Sequence, residues 1–117
     1  MRIVRKALLA GALALTSAAA HAHAQLDSAN PRVGSTVSVA PSVLTLTFSE
    51  AVEPAFSTVQ VTDSAGRRVD AGKPRVNGRQ VQVPLRPLTA GQYNVRWRVL
   101  SVDTHTTEGS FGFEVRP

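Results

Sequence analysis

The chain has no cysteine. That excludes disulfide staples, thiolate metal sites and any cysteine nucleophile, so the fold must be held by core packing alone. Methionine occurs once, at Met1, which leaves no thioether cluster for a soft metal ion. Aromatic residues are few: Trp97, Tyr93 and four phenylalanines, too sparse for a broad carbohydrate-binding face. No stretch beyond the first twenty-two residues sustains an apolar period of 3.6, so no amphipathic helix is expected. No nucleophile motif supports a hydrolase built from Asp103, His105 and a serine.

The 117 residues allow one domain, and its beginning reads as a targeting segment. Met1–Lys6 is a basic stretch and Ala7–Ala20 an apolar one. Ala20-His21-Ala22 fits the small-x-small cleavage rule, so residues 1–22 are expected to be a signal peptide and 23–117 the working domain. The apolar stretch falls short of the roughly 20 residues that span a bilayer. Cleavage after Ala22 makes His23 the new amino terminus. Cutting after Ala20 would instead expose His21-Ala22-His23, and cutting after Ala24 would remove both histidines. The loss of Arg2, Arg5 and Lys6 lowers the formal net charge from +5 to about +2, and the remaining basic residues are scattered. A nucleic-acid footprint needs them clustered on one face, so no nucleic-acid partner is expected.

The rest of the chain alternates. Ala24–Ala29 can form a short strand closed by Asn30-Pro31. Val43–Phe48 points Leu44, Leu46 and Phe48 to one side, with Glu50 on the same register just beyond. Ser57–Thr62 alternates through Val59 and Val61, and Arg67–Val69 forms a short run. Asn77-Gly78 signals a hairpin into Gln80–Leu85, where Pro84 and Pro87 suggest an edge position or an early strand end. The longest strand, Gln92–Leu100, carries Tyr93, Val95, Trp97 and Val99 on its apolar face, and Phe111, Phe113 and Val115 line the last one. About seven short strands predict an all-β fold, a two-sheet antiparallel Greek-key β-sandwich of Ig-like or cupredoxin-like type, with Trp97 in its core.

The chemistry-bearing stretch is Ser101-Val102-Asp103-Thr104-His105. In extended backbone Ser101, Asp103 and His105 would prolong the apolar register of the long strand, so that the strand ends in a carboxylate and an imidazole on one side. His23 at a new amino terminus could chelate an ion through its free amine and ring Nδ1, with His105 adding another nitrogen. Two or three nitrogens and a carboxylate oxygen in tetragonal geometry suit Cu(II). Asp103 is the favoured direct ligand and Glu50 the outer partner of the amine, although the two could exchange roles. Each feature has an ordinary reading too. A histidine beside a cleavage site is commonly tail composition, and an Asp-x-His in a loop is commonly a turn with an exposed ring.

His23-Ala24-Gln25-Leu26 with Asn30-Pro31, the block Leu44–Glu50, and the block Gly91–His105 ending in W-R-V-x-S-x-D-x-H together resemble the CopC family of periplasmic copper-binding proteins. The resemblance runs over nearly all of the chain after residue 22. It implies a Cu(II) site at His23, Glu50, Asp103 and His105, one ion per chain, and a monomeric periplasmic carrier or buffer for copper homeostasis or resistance that is not an enzyme. It also implies a CopD-type inner-membrane copper transport protein as a partner. The lack of methionine after Met1 places the chain with the Cu(II)-only type. Two other functions stay open at this level: a copper-dependent oxidative enzyme with an amino-terminal histidine brace, and a metal-free sandwich that serves as an interaction module.

Overall fold

In the computed structural model, residues 24–117 are described. Eight strands follow one another: β1 (Leu26–Asn30), β2 (Thr36–Val37), β3 (Val43–Phe48), β4 (Thr58–Asp63), β5 (Arg75–Asn77), β6 (Gln80–Pro84), β7 (Gly91–Leu100) and β8 (Thr106–Val115). They form two four-stranded sheets in the orders β1-β3-β6-β5 and β2-β8-β7-β4. All pairings are antiparallel except the two-residue β2, which lies parallel to β8. The β-sandwich expected from the alternation is the observed fold.

Burial follows the period of two. Leu44, Leu46 and Phe48 on β3, Val59 and Val61 on β4, Val81 and Val83 on β6, and Tyr93, Val95, Trp97 and Val99 on β7 are all buried, and with Phe111, Phe113 and Val115 of β8 they make one core. Phe48 meets Trp97 edge to face with ring centroids 5.2 Å apart, and Tyr93 stacks on Phe113 at 5.4 Å. The Tyr93 hydroxyl donates to the Thr89 carbonyl at 2.6 Å, so its one polar atom is satisfied at the core's edge.

Several local expectations are refined. The Asn77-Gly78 hairpin forms between β5 and β6, with Gly78 at φ 61, where a side chain would be strained. β6 is an interior strand rather than an edge; Pro84 is its last residue, so the proline marks an early end. β8 begins at Thr106, well before Phe111, because β7 pairs with it along its whole length from Gly91↔Val115 to Leu100↔Thr106. Arg67–Val69 is not a strand but a strap. Val69 N–H donates to the Val61 carbonyl at 2.8 Å, and Ala71 N–H donates to the carbonyl of Pro84 in β6 at 2.8 Å, so the segment covers the free edge of β4 and ties it to the other sheet.

Asp70 completes that strap. Its carboxylate accepts from Val61 N–H at 3.0 Å and from Arg68 Nε and Nη2, both at 2.7 Å, while its side chain is only 8% exposed. The hydrogen bonds from Arg68 hold the Asp70 carboxyl below its ordinary value against the opposing effect of burial, with the Val61 N–H helping. A depressed carboxyl contributes stability that is complete above the unfolded group's range near pH 4 and is lost as pH falls through the lower folded value.

Two predictions follow from this packing. Trp97 pairs directly with Gly109, where an added Cβ would lie 2.6 Å from Trp97 Cζ2 and 2.9 Å from Cε2. Gly109→Ala should therefore cost about 1–3 kcal/mol by overpacking, read as a lower denaturant midpoint on the fluorescence of the single tryptophan. Asp70→Ala should cost about 1–3 kcal/mol at neutral pH by orphaning Val61 N–H and Arg68, and its gap from wild type should narrow on acidification below about pH 4. Denaturant melts across pH would check both the size and the direction.

Candidate metal centre

The stretch expected to continue β7 as extended backbone is a tight turn. β7 ends at Leu100; Ser101 N–H donates to the His105 carbonyl at 2.9 Å, and Thr104 N–H donates to the Ser101 carbonyl at 2.9 Å, so the chain reverses within Ser101–His105 and enters β8. Thr104 takes φ 77, a left-handed conformation unfavourable for a β-branched residue. Ser101 alone keeps the inward register and is fully buried. Asp103 and His105 stand at the surface, their side chains 42% and 48% exposed.

The turn still brings the two side chains together. Asp103 Oδ1 lies 3.5 Å from His105 Nδ1. With metal–ligand bonds of about 2.0–2.2 Å, the zinc values, one ion could touch both atoms. The Ser101 hydroxyl donates to Asp103 Oδ1, and this bond is the main reason the Asp103 carboxyl is held below its ordinary value; partial desolvation opposes it and the His105 ring assists. Asp103 is thus an anion, ready to act as an oxygen ligand, through the physiological range.

Other segments converge on the same end of the sandwich. Val102 N–H donates to the Ala51 carbonyl at 3.1 Å, Glu53 N–H to the Leu100 carbonyl at 2.8 Å, and Val52 bridges Ser101, so the residues that follow Glu50 lie against the turn. Glu50 itself is half-buried in the bend after β3. The start of the described chain is tied down on both sides. Gln25 N–H donates to Ser49 Oγ at 2.8 Å and Ser49 N–H to the Gln25 carbonyl at 2.7 Å, while Thr107 Oγ1 donates to the carbonyl of the fully buried Ala24 at 2.7 Å. Ala24 is therefore held two residues from His105 on one side and, through Gln25, one residue from Glu50 on the other.

Of the expected ligands, the structure joins Asp103 and His105 and sets the segment carrying Glu50 beside them. Among the described residues no group of three or more histidine, aspartate or glutamate side chains is close enough to hold an ion. His23 lies outside the described residues. What sequence reasoning passed over is the inward hydroxyl of Ser101. Its signal was a lone serine continuing a buried apolar register just before two candidate ligands.

An imidazole nitrogen and a carboxylate oxygen are donor types that fit a divalent first-row ion of the imidazole-preferring kind. Comparisons with known proteins point the same way. Residues 26–116 match the CopC domain. Copper resistance protein C of Pseudomonas syringae pv. tomato is 39% identical over 111 residues, which cover 87% of each chain. The crystal structure of CopC from Methylosinus trichosporium OB3b superposes with a TM-score of 0.76 at 34% identity, over 81% of this chain and 95% of that one. PcoC from Escherichia coli, described as a methionine-rich copper resistance protein, superposes at 0.71 with 33% identity, over 81% of this chain and all of that one. The match over nearly the whole described sandwich, with the Asp103–His105 turn inside it, makes this chain a member of the CopC family.

Proposed function

We propose that the protein is a periplasmic Cu(II) carrier or buffer in copper homeostasis or resistance, binding one ion per chain at the end of the sandwich where β7 turns into β8. Members of the CopC family are copper-binding carriers rather than enzymes, and the chain is a carrier in that sense. In this reading residues 1–22 are a signal peptide, and cleavage after Ala22 frees the amine of His23. The ion takes that amine, the His23 ring, the His105 ring and a carboxylate oxygen of Asp103, while Glu50 accepts a hydrogen bond from the amine. The single observation that carries the proposal is the anchoring of Ala24 between Thr107 and, through Gln25, Ser49. Ala24 is bonded two residues from His105 and, through Gln25, one residue from Glu50, which supports the reading of His23 as a ligand.

The donor types support Cu(II). Carboxylate oxygen and imidazole nitrogen suit it, whereas Cu(I) prefers thiolates and thioethers, and the chain has no cysteine and no methionine but Met1. PcoC is described as methionine-rich; this chain is not, which supports a site for one oxidation state. Half-exposed ligands on a monomer allow the ion to be passed on, and the family resemblance makes a CopD-type inner-membrane protein the proposed recipient.

The test is a Cu(II) titration followed by electron paramagnetic resonance on exported protein whose amino terminus is verified as His23. A one-to-one tetragonal signal with nitrogen coupling is expected. Both His105→Ala and one extra residue ahead of His23 should weaken binding by more than about tenfold, since even losing a group that merely orients a ligand costs 10–100-fold. Stoichiometric binding untouched by either change would refute the site. Because amine and imidazole must be unprotonated to bind, affinity should fall as pH drops from mildly alkaline to mildly acidic. Competition titrations across that range would show it.

A further inference from the structure

We propose that Ser101 is the positioning residue of the copper turn: its buried hydroxyl sets Asp103 and His105 in place before the ion arrives. This rests on the reading of Asp103 and His105 as ligands. Ser101 is fully buried at the end of a register otherwise filled by Tyr93, Val95, Trp97 and Val99. A serine in that place gives up apolar packing, which makes its hydrogen bonds the reason for its being there. The hydroxyl has one proton and two acceptor lone pairs. Its proton goes to Asp103 Oδ1, it accepts from His105 N–H at 3.3 Å, and the His105 carbonyl lies 3.1 Å away as a second acceptor for the same proton.

Both candidate ligands are thus tied to one atom, Asp103 through its carboxylate and His105 through its backbone. The two acceptors matter when copper binds. If Asp103 Oδ1 turns to the ion, the Ser101 proton can swing to the His105 carbonyl, so the buried hydroxyl keeps a partner in both states. Ligand exchange at Asp103 then leaves no unmet polar group in the core, which suits a site that must load and unload. Two backbone bonds frame Thr104 in its left-handed conformation, Thr104 N–H to the Ser101 carbonyl and Ser101 N–H to the His105 carbonyl. Those backbone bonds do not need the hydroxyl. Ser101→Ala therefore removes the orienting atom while leaving the turn its main-chain frame.

The experiment is a double-mutant cycle in Cu(II) affinity on exported protein with a verified His23 terminus, using wild type, Ser101→Ala, Asp103→Ala and the double variant, with the paramagnetic resonance spectrum and apo melting of each. Ser101→Ala should lower affinity about 10–100-fold, the usual cost of losing a group that orients a ligand, and alter the copper hyperfine coupling. In the Asp103→Ala background most of that loss should vanish, because the hydroxyl then has no carboxylate to orient. Ser101→Thr, which crowds the same buried space but keeps the hydroxyl, should bind copper like wild type even if it melts lower. An affinity loss that persists in full without Asp103, or weak binding by the threonine variant, would mean that packing alone is at stake and would overturn the proposal. If Asp103→Ala weakens binding and Ser101→Ala does not, the positioning role alone is refuted. If Asp103→Ala leaves binding unchanged, the ligand assignment is refuted and the positioning role with it.

Discussion

The rest of the structure depends on the ladder between β7 and β8. These strands pair without a break from Gly91↔Val115 to Leu100↔Thr106. A slip of one residue would send the whole apolar face outward, so burial of Tyr93, Val95, Trp97 and Val99 against Phe48 and Phe113 admits one register only. That register has two distant consequences. It lays the Trp97 indole over Gly109, where no larger residue fits, and it leaves just Ser101–His105 to reverse the chain. The turn is short because the ladder is long, and its shortness is what puts a carboxylate and an imidazole side by side.

A second constraint is the lack of covalent staples. With no cysteine, loose ends are tied by hydrogen bonds between residues far apart in sequence: Gln25 to Ser49, Thr107 to Ala24, Val102 to Ala51, and the Asp70 strap along β4. Three of these four ties lie at the end that carries Asp103 and His105. The amino-terminal segment, the bend after β3 and the β7–β8 turn, from which the proposed site would be assembled, are held in common by these bonds. Asp103 and His105 stay half exposed at that end, which accords with the proposed holding and release of an ion.

Much of this was legible in advance. Alternation of Leu44, Leu46 and Phe48, of Val81 and Val83, and of the β7 residues stated the strands, their inward faces and the sandwich, because a period of two is a property of neighbouring residues. The approach of Asp103 to His105 was expected from their spacing, and family membership from the blocks that hold them. Three things were not legible. The Arg67–Val69 segment reads as a short run, yet it is a strap because its bonds run to Val61 of β4 and, just beyond at Ala71, to Pro84 of β6 in the other sheet. The stretch after Leu100 reads as extended, yet it turns because β8 starts at Thr106 and claims the next pairing position. Ser101 reads as a continuation of the β7 register with no task of its own, and only the core closing over it makes its hydroxyl the shared partner of Asp103 and His105. The sequence by itself determined the strands, their buried faces and the donor types, which depend on residues close together in the chain. Tertiary structure alone decided which strands pair, where the chain reverses and which donors meet, because those depend on hydrogen bonds and burial between residues that are neighbours only after folding.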